Sequence, residues 1–140
     1  MNEAEGSGLV GLVVASHSAR IAEGTVELAR QMAGSEVRLI AAGGATDGSL
    51  GTDAARIAAA IGEADAGAGV LVLADLGSAV LATKLALGMV DEPVAGRTRL
   101  SRGPLVEGAV VAAVQASIGD SLEGVLAAAE AARDLDKQVD

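Results

Sequence analysis

The sequence LVGLVVASHS occupies residues 9–18 and joins an apolar run to a polar end. The run from Leu9 to Ala15 is too continuous for a strand with one face in water, so it predicts a strand buried on both faces of a sheet. The run stops at Ser16-His17-Ser18. From residue 21 to about residue 34 the apolar side chains recur at helical spacing, which predicts a helix directly after this polar loop.

The same order of strand, loop and helix occurs twice more along the chain. Apolar strands are predicted at Val37–Ala42 and Gly69–Ala74, and each is followed by a loop and a helix. We expect Thr52 to cap the helix over residues 53–64 and Ser78 to cap the third helix. Three such units predict right-handed crossovers and a parallel sheet with helices on both faces, so the fold class is α/β.

The remaining part of the chain begins with its least defined segment, residues 94–102, which we interpret as a short edge strand. The apolar residues between positions 105 and 118 recur at helical spacing, and residues 121–133 predict a final helix capped by Ser121. No linker divides the chain, and a length of 140 residues fits one domain.

Composition excludes several classes of function. The chain has no Phe, Tyr, Trp or Cys and a single histidine, His17, and its formal net charge is −9. Without aromatic rings it cannot stack bases, and its acidity repels a phosphate backbone, so we expect no nucleic-acid partner. Disulfides and cysteine zinc sites are excluded, and no metal site is expected. There is no apolar run of the roughly 18 residues that span a bilayer, and residues 1–8 lack the cations of a secretory signal. We therefore expect a cytoplasmic protein without membrane contact.

Three loops of this chain are expected to meet beyond the carboxyl ends of the strands, where open parallel sheets bind their ligands. His17 lies in the first loop. One nitrogen of a neutral imidazole can attack phosphorus if the other donates its proton to a fixed acceptor. Asp75, in the third loop, is the candidate acceptor. The alternative is a solvated or helix-capping histidine without a chemical role.

The second loop, GGATDGSLGT at residues 43–52, is rich in glycine. Its backbone N–H groups are able to hold an anion, and its hydroxyl side chains add further donors. It is not a Walker A loop, because Ser49 stands where that motif needs lysine. The glycines also fit a plain connection that needs them for its turns. Both interpretations of this loop stay open.

Four segments, taken together, resemble a known family. They are VVASHS at 13–18, GGATDGSLGT at 43–52, VLVLADLGSA at 70–79 and PLVEGAVVAA at 104–113. In this order they resemble the mannose-class enzyme IIA family of the phosphotransferase system, and within it the phosphocarrier subunits of phosphoenolpyruvate-dependent dihydroxyacetone kinases. The resemblance implies a three-layer sandwich, with a central, mainly parallel sheet of four to five strands between helices. It also implies a single domain over residues 9–135, preceded by a flexible tail at residues 1–8.

The function implied by the resemblance is that of a phosphotransferase subunit. His17 would accept a phosphoryl group on Nε2 from the phosphohistidine of the carrier protein HPr and pass it to ADP held in a partner kinase subunit. The ATP formed there would phosphorylate dihydroxyacetone, and Asp75 would orient His17. The rim of the phosphoryl site would be formed by Ser16, Ser18, Gly43, Gly44, Thr46, Gly77 and Ser78. The chain would bind no cofactor or metal of its own and would form a homodimer.

Two other functions remain open. Mannose-class relatives use the same histidine to pass phosphate to the IIB domain of a sugar transporter. A regulatory module, in contrast, would bind a nucleotide or another small ligand in the glycine loop without covalent chemistry. The glycine loop and the Asp-Leu-Gly-Ser-Ala sequence at residues 75–79 favour the dihydroxyacetone kinase.

Some residues depart from the family pattern or are not explained by it. Ala82 and Lys84 stand where the resemblance leads us to expect an asparagine and an acidic residue, a change that concerns partner docking rather than the chemistry. Arg97, Arg99 and Arg102 place three cations within six residues. We interpret them as a solvated edge, with contact to a phosphate or an acidic partner as the alternative.

Overall fold

The computed structural model describes residues 8–140, which fold into four strands, six α-helices and a terminal 3-10 turn. The elements in chain order are β1 (Gly11–Ser16), α1 (Ala19–Ala33), β2 (Leu39–Gly43), α2 (Ala54–Ala64), β3 (Val70–Ala74), α3 (Gly77–Leu87), α4 (Glu92–Gly96), β4 (Thr98–Leu100), α5 (Leu105–Ser117), α6 (Leu122–Ala131) and the turn Ala132–Asp134. Residues 1–7, which make up most of the expected tail, lie outside the described residues.

The four strands form one parallel sheet in the order β2-β1-β3-β4. β1 and β3 are the central strands, and every residue of β1 is buried, as the continuous apolar run predicted. The register sets Ala15 of β1 beside Ala42 of β2 and beside Ala74 of β3. The ends of β1, β2 and β3 therefore lie at one level, and the loops that follow them meet at one edge of the sheet.

Helices cover both faces of the sheet, which confirms the predicted three-layer α/β sandwich. Leu12, Val14, Leu71 and Leu73 pack on one face against α1, α5 and α6. The alternate residues of the same strands pack on the other face against α2 and α3. The helices contribute mostly alanine to both interfaces, and the buried side chains are aliphatic because the sequence has no aromatic residue. Small side chains at a contact let a helix approach the sheet closely.

Two helix starts differ from the predictions. α2 is capped by Asp53, whose carboxylate accepts from the N–H groups of Ala55 and Arg56, and not by Thr52. Ser78 is not a cap either, since α3 begins one residue before it, at Gly77, after Leu76. Ser121 does cap α6, by accepting from the N–H of Gly124. The missed caps leave the helices where they were predicted but change what Ser78 is free to contact.

The segment at residues 94–102 contains more structure than the predicted edge strand. The short helix α4 precedes a strand of three residues, β4, which pairs in parallel with β3 at the edge of the sheet. The edge strand is thus confirmed, whereas its first residues belong to α4. A pattern of alternating or continuous apolar residues cannot be recognised in a strand this short.

Candidate functional site

The site is built where the two central strands end. His17 follows the last residue of β1, and Asp75 follows the last residue of β3. Because β1 and β3 are neighbours in parallel register, these two residues leave the sheet side by side, about 4.8 Å apart at the backbone. The N–H of Asp75 donates to the carbonyl of Ala15 at 3.2 Å and continues the strand pairing up to the site. The structure therefore brings together the two residues that were predicted to act as a pair.

Four donors converge on the Asp75 carboxylate. Its Oδ1 accepts from His17 Nδ1 at 2.9 Å and from the N–H of Leu76 at 2.7 Å. Its Oδ2 accepts from the Ser16 hydroxyl at 2.8 Å and from the N–H of His17 at 3.0 Å. Partial burial raises the pKa of the Asp75 carboxyl, but the hydrogen bonds from His17, Ser16 and Leu76 outweigh burial and hold the pKa below its usual value. Asp75 is therefore ionised at neutral pH.

An ionised carboxylate can only accept hydrogen bonds, so the proton of the neutral His17 ring must be on Nδ1. The lone pair then lies on Nε2, the other ring nitrogen. Ser78 Oγ is in close hydrogen-bond contact with Nε2 and must donate to it. The arrangement fixes one tautomer of the imidazole and turns its unshared electron pair toward the start of α3.

The first turn of α3 adds donors beside Nε2. Gly77 and Ser78 are the first two residues of this helix, so their N–H groups have no carbonyl partner inside it. Leu76, the residue before the helix, supplies no side-chain cap. Free N–H groups at a helix start attract anions, and the helix dipole adds to the attraction. The site thus pairs a nucleophilic nitrogen with donors for negatively charged oxygens.

The His17 side chain is 26% exposed, and that of Asp75 is 16% exposed. Leu50 of the glycine loop and Leu76, next to Asp75, have exposed side chains. The ring is therefore held from within the protein while its reactive edge is open to a partner. Among residues 8–140 there is no group of three His, Cys, Asp or Glu side chains that could hold a metal ion.

The glycine loop supports the histidine through its backbone. The N–H of Gly44 donates to the Ser16 carbonyl at 3.0 Å, and the N–H of Gly51 donates to the His17 carbonyl at 2.9 Å. The backbone of His17 is thereby held on both sides, by Asp75 and by this loop. Gly51 was not among the predicted site residues. Its position in a loop with four glycines was the only signal, and that signal does not distinguish one glycine from another.

Other residues predicted for the rim build the site rather than face it. Ser18 caps α1 by accepting from the N–H of Ile21, and its own N–H donates to Ser16 Oγ. Gly43 packs so closely under the start of α1 that a Cβ atom there would lie 2.5 Å from the Ser18 carbonyl oxygen. The Thr46 hydroxyl donates to the Asp53 carboxylate at 2.8 Å.

The three clustered arginines have different partners. Arg97 forms a two-point ion pair with Asp65, and Arg99 pairs with Glu123. The side chain of Arg102 has no ion pair within residues 8–140, although its backbone N–H donates to Glu130. Only Arg102 therefore stays available for an anion from outside. The described part of the chain has no helix that is long and apolar enough to span a bilayer.

Comparison with known proteins shows the family to which the chain belongs. A sequence profile of the EIIA-man family, described as PTS system fructose IIA component, matches residues 11–126. The chain is 38% identical over 118 residues to the phosphoryl donor subunit DhaM of PEP-dependent dihydroxyacetone kinase 2 from Listeria innocua serovar 6a. The aligned residues cover 84% of this chain and 94% of that subunit. Four other DhaM relatives are longer, and the chain spans about a quarter of their length.

Solved structures show the same fold. The crystal structure of a protein of unknown function is 40% identical, superposes with a TM-score of 0.77 and covers 87% of this chain and 93% of that one. The mannose/sorbose specific IIA subunit from Enterococcus faecalis superposes with a TM-score of 0.58 at 20% identity, over 94% of this chain and 96% of its own. This last likeness concerns the fold alone. By profile and sequence, the chain belongs to the EIIA-man family and, within it, to the DhaM subunits.

Proposed function

We propose that this chain is a phosphocarrier that accepts a phosphoryl group from phospho-HPr on His17 Nε2 and delivers it to ADP in a partner kinase subunit. The observation that carries the proposal is the fixed tautomer of His17. Its Nδ1–H donates to Asp75 at 2.9 Å, and its Nε2 lies at the exposed edge of the ring beside Ser78. The relatives named as phosphoryl donor subunits of dihydroxyacetone kinases support the same role.

The transfer step needs no proton to leave the site. The Nε2 lone pair attacks phosphorus, a bond forms between Nε2 and phosphorus, and the bond to the nitrogen of the donor phosphohistidine breaks. The electron pair of the broken bond returns to the donor ring. The His17 ring keeps its Nδ1 proton and becomes cationic, and the Asp75 carboxylate stabilises that charge as an aspartate does beside a catalytic histidine. Transfer to ADP repeats the step, with a β-phosphate oxygen as nucleophile and His17 Nε2 as leaving group.

During transfer the negatively charged phosphoryl oxygens need hydrogen-bond donors that stabilise their charge. In this proposal the N–H groups of Gly77 and Ser78 at the start of α3 donate to these oxygens, and the Ser78 hydroxyl turns from Nε2 to a phosphoryl oxygen once Nε2 is occupied. Donors that are already oriented stabilise a transferring group without reorganisation. Catalysis by this subunit therefore rests on position and charge.

In this proposal the chain binds neither a metal nor a nucleotide, because ADP belongs to the partner subunit. The chain has no aromatic side chain on which an adenine could stack. We also propose that two copies form a homodimer. Exposed apolar side chains along α1, namely Ile21, Leu28 and Met32, support an association of this kind. Sedimentation of the purified chain measures its mass in solution, and a monomer at micromolar concentration would contradict this part.

The central experiment measures phosphorylation of the chain by phosphoenolpyruvate, enzyme I and HPr. We expect one acid-labile, alkali-stable phosphate per chain, with a phosphorus NMR shift typical of Nε2, and none on His17→Ala. Phosphoramidate, a small donor that needs no docking, is the control for the reactivity of the ring. Stable labelling of His17→Ala, or a wild-type chain that phospho-HPr leaves unlabelled, would overturn the proposal.

A second experiment identifies the acceptor. The labelled chain is mixed either with the ADP-binding and dihydroxyacetone-binding kinase subunits or with the IIB domain of a sugar transporter. We expect label to appear in dihydroxyacetone phosphate and to require ADP in the kinase subunit. Transfer to the IIB domain alone would show that the histidine serves a transporter instead.

A further inference from the structure

A cleft beside the site is not used by the chemistry above. It has a volume of about 310 Å³ and is lined by Val80 and Lys84 of α3 and by Leu100, Ser101 and Arg102 at the end of β4. The volume is large enough to admit the end of a side chain from another protein, since one water molecule occupies about 30 Å³.

The cleft lies on the edge of the sheet where phosphoryl transfer takes place. The N–H of Ser101 donates to the Val72 carbonyl, so the chain continues beside β3 after β4 ends and brings Arg102 close to the level of Asp75. β4 is two strands away from β1, which corresponds to about 10 Å from the end of β1. Helix α3 connects the cleft to the site directly, because its residue Ser78 contacts His17 and its residue Val80 lines the cleft.

The two cations of the cleft have no anionic partner within residues 8–140, whereas Arg97, Arg99 and Lys137 are paired with carboxylates. Side chains of a helix tilt toward its start, so Lys84 leans back toward the transfer edge. The chain as a whole carries a net charge of −9. Two neighbouring cations without ion pairs are therefore a local exception, and together they attract an anion.

The surface next to the cleft is apolar. Leu81 and Leu85 lie one turn apart on α3, with 64% and 66% of their surface exposed. Of the 11 residues of α3 only Ser78, Thr83 and Lys84 are polar, and Thr83 is buried. A helix with so little polarity on its outer side is typical of a protein contact. The anion that enters the cleft is therefore expected to belong to a protein.

We propose that Leu81, Lys84 and Leu85 of α3, together with Arg102, form the docking surface for the kinase subunit that holds ADP. This inference rests on the proposed function. The acceptor is anionic where it meets His17, because the phosphates of ADP and the carboxylates that hold the accompanying Mg²⁺ surround its transfer site. An acidic side chain near that site enters the cleft, and apolar side chains beside it cover the two leucines.

The test separates the two transfers. Lys84→Glu and Arg102→Glu are first labelled with phosphoramidate, which needs no docking, and with phospho-HPr. Each labelled chain is then mixed with the ADP-loaded kinase subunit, and the rate of ATP formation is measured against the concentration of that subunit. Arg133→Glu is the matched control, since it makes the same change of charge at an exposed position after α6, on the other face of the sheet.

We expect both charge reversals to lower the second-order rate of transfer to the kinase subunit about tenfold or more, because a like charge at an interface opposes docking. Labelling by phosphoramidate and by phospho-HPr should stay within about twofold of wild type. The wild-type rate should fall as salt is raised, and the variants should respond less. Leu85→Gln should weaken the same step without changing the salt response.

Each result that contradicts these expectations rejects a different part of the proposal. If the wild-type chain passes phosphate to the kinase subunit and the charge reversals do so equally well, the docking surface is wrong and the phosphocarrier role stands. If the variants slow phospho-HPr labelling to the same extent, the surface does not select the acceptor. If free ADP binds the wild-type chain but not Arg102→Glu, the cleft is a nucleotide site instead. If wild type transfers nothing to the kinase subunit, the proposed function fails and this inference fails with it.

Discussion

At the scale of single residues, the Asp75 carboxylate organises the site. Each of its oxygens accepts two hydrogen bonds, and the donors come from Ser16 and His17 at the end of β1 and from Leu76, the residue before α3. The carboxylate fixes the backbone of His17 as well as its ring. The lone pair on Nε2 is therefore a consequence of how Asp75 is held, and a change at Asp75 should alter the nucleophile more than the fold.

Asp75→Asn tests this dependence. An asparagine amide is able to donate a hydrogen bond to a ring nitrogen, which favours the tautomer with the proton on Nε2 and removes the lone pair from that atom. We expect the rate of labelling by phospho-HPr to fall about a hundredfold or more, by analogy with the aspartate of a catalytic triad. Asp53→Asn, a carboxylate change on the same edge of the sheet, should leave the rate unchanged. A rate for Asp75→Asn within threefold of wild type would contradict the role of Asp75.

The pair itself was predictable from the sequence, since His17 and Asp75 each directly follow a buried apolar strand. The contact between Ser78 and Nε2 was not, because a serine before an apolar run is typical of a helix cap. α3 starts one residue earlier than that pattern indicates. The side chain of Ser78 is therefore directed at His17 instead of at its own helix.

At the scale of elements, the start of α1 lies almost in contact with the end of β2. A Cβ atom on Gly43 would lie 2.5 Å from the Ser18 carbonyl oxygen and 2.8 Å from the Ala19 Cα. A steric clash with backbone atoms cannot be relieved by rotating a side chain. The glycine thus sets how closely α1 and His17, which precedes it, approach the neighbouring strand.

Gly43→Ala should therefore destabilise the protein by about 1–3 kcal/mol, the range found for overpacked interiors. The free energy of unfolding from urea titration measures the change, and labelling of His17 should slow because its loop is displaced. Gly24→Ala is the control, since no atom lies within 4 Å of its Cβ position in α1. That change should stabilise the helix by about 0.5–1 kcal/mol. Equal stability of Gly43→Ala and wild type would show that α1 is free to move.

The sequence predicted long elements better than short ones. β1, β3 and the helices α1, α2, α5 and α6 follow strong patterns of apolar residues, and the structure confirms them. α4 and β4 have five and three residues, too few for a period to repeat. The capping of α2 by Asp53 instead of Thr52 depends on which of two adjacent polar side chains meets the free N–H groups. Composition alone does not decide that.

At the scale of the whole molecule, an ion pair connects the end of α2 to the start of β4, the edge strand of the sheet. Asp65 follows α2, and Arg97 precedes β4; the Arg97 Nε and Nη2 donate to the two Asp65 oxygens at 3.0 and 2.6 Å. The Asp65 side chain is only 10% exposed, whereas that of Arg97 is 37% exposed. The hydrogen bond from the Arg97 guanidinium is the largest influence on Asp65 and lowers the pKa of its carboxyl.

A lowered pKa in the folded state means that this pair stabilises the protein above the ordinary pKa of aspartate, about 3.9, and that the stabilisation is lost as pH falls through the folded value. Arg97→Gln should lower the free energy of unfolding at pH 7 by about 1 kcal/mol, a modest figure because water screens the exposed guanidinium. The difference from wild type should shrink below about pH 4, as Asp65 takes up a proton. Arg99→Gln, which loses a more exposed pair, should have a smaller effect at every pH. A deficit for Arg97→Gln that does not vary with pH would contradict the assignment to the Asp65 charge.

The order of the strands could not be obtained from apolar patterns, because the runs at β1, β2 and β3 are alike in length and composition. Parallel strands with right-handed crossovers limit the possible orders without choosing one. The choice of β2-β1-β3-β4 places the histidine strand next to the aspartate strand. The pairing of His17 with Asp75 is expected from their positions after two predicted strands, and the family resemblance implies the same pairing, so the expected pairing did not require the strand order.

A core assembled only from aliphatic side chains has an optical and spectroscopic consequence. With no Phe, Tyr or Trp in the sequence, the His17 imidazole is the only ring apart from the prolines. In heavy water, once the amides have exchanged, its two carbon-bound protons are the sole aromatic proton signals that the polypeptide gives. The state of the nucleophile can thus be followed by proton NMR without isotope labels. In a mixture with a partner protein, any tryptophan fluorescence comes from the partner. A change in that fluorescence on binding therefore reports on the partner alone.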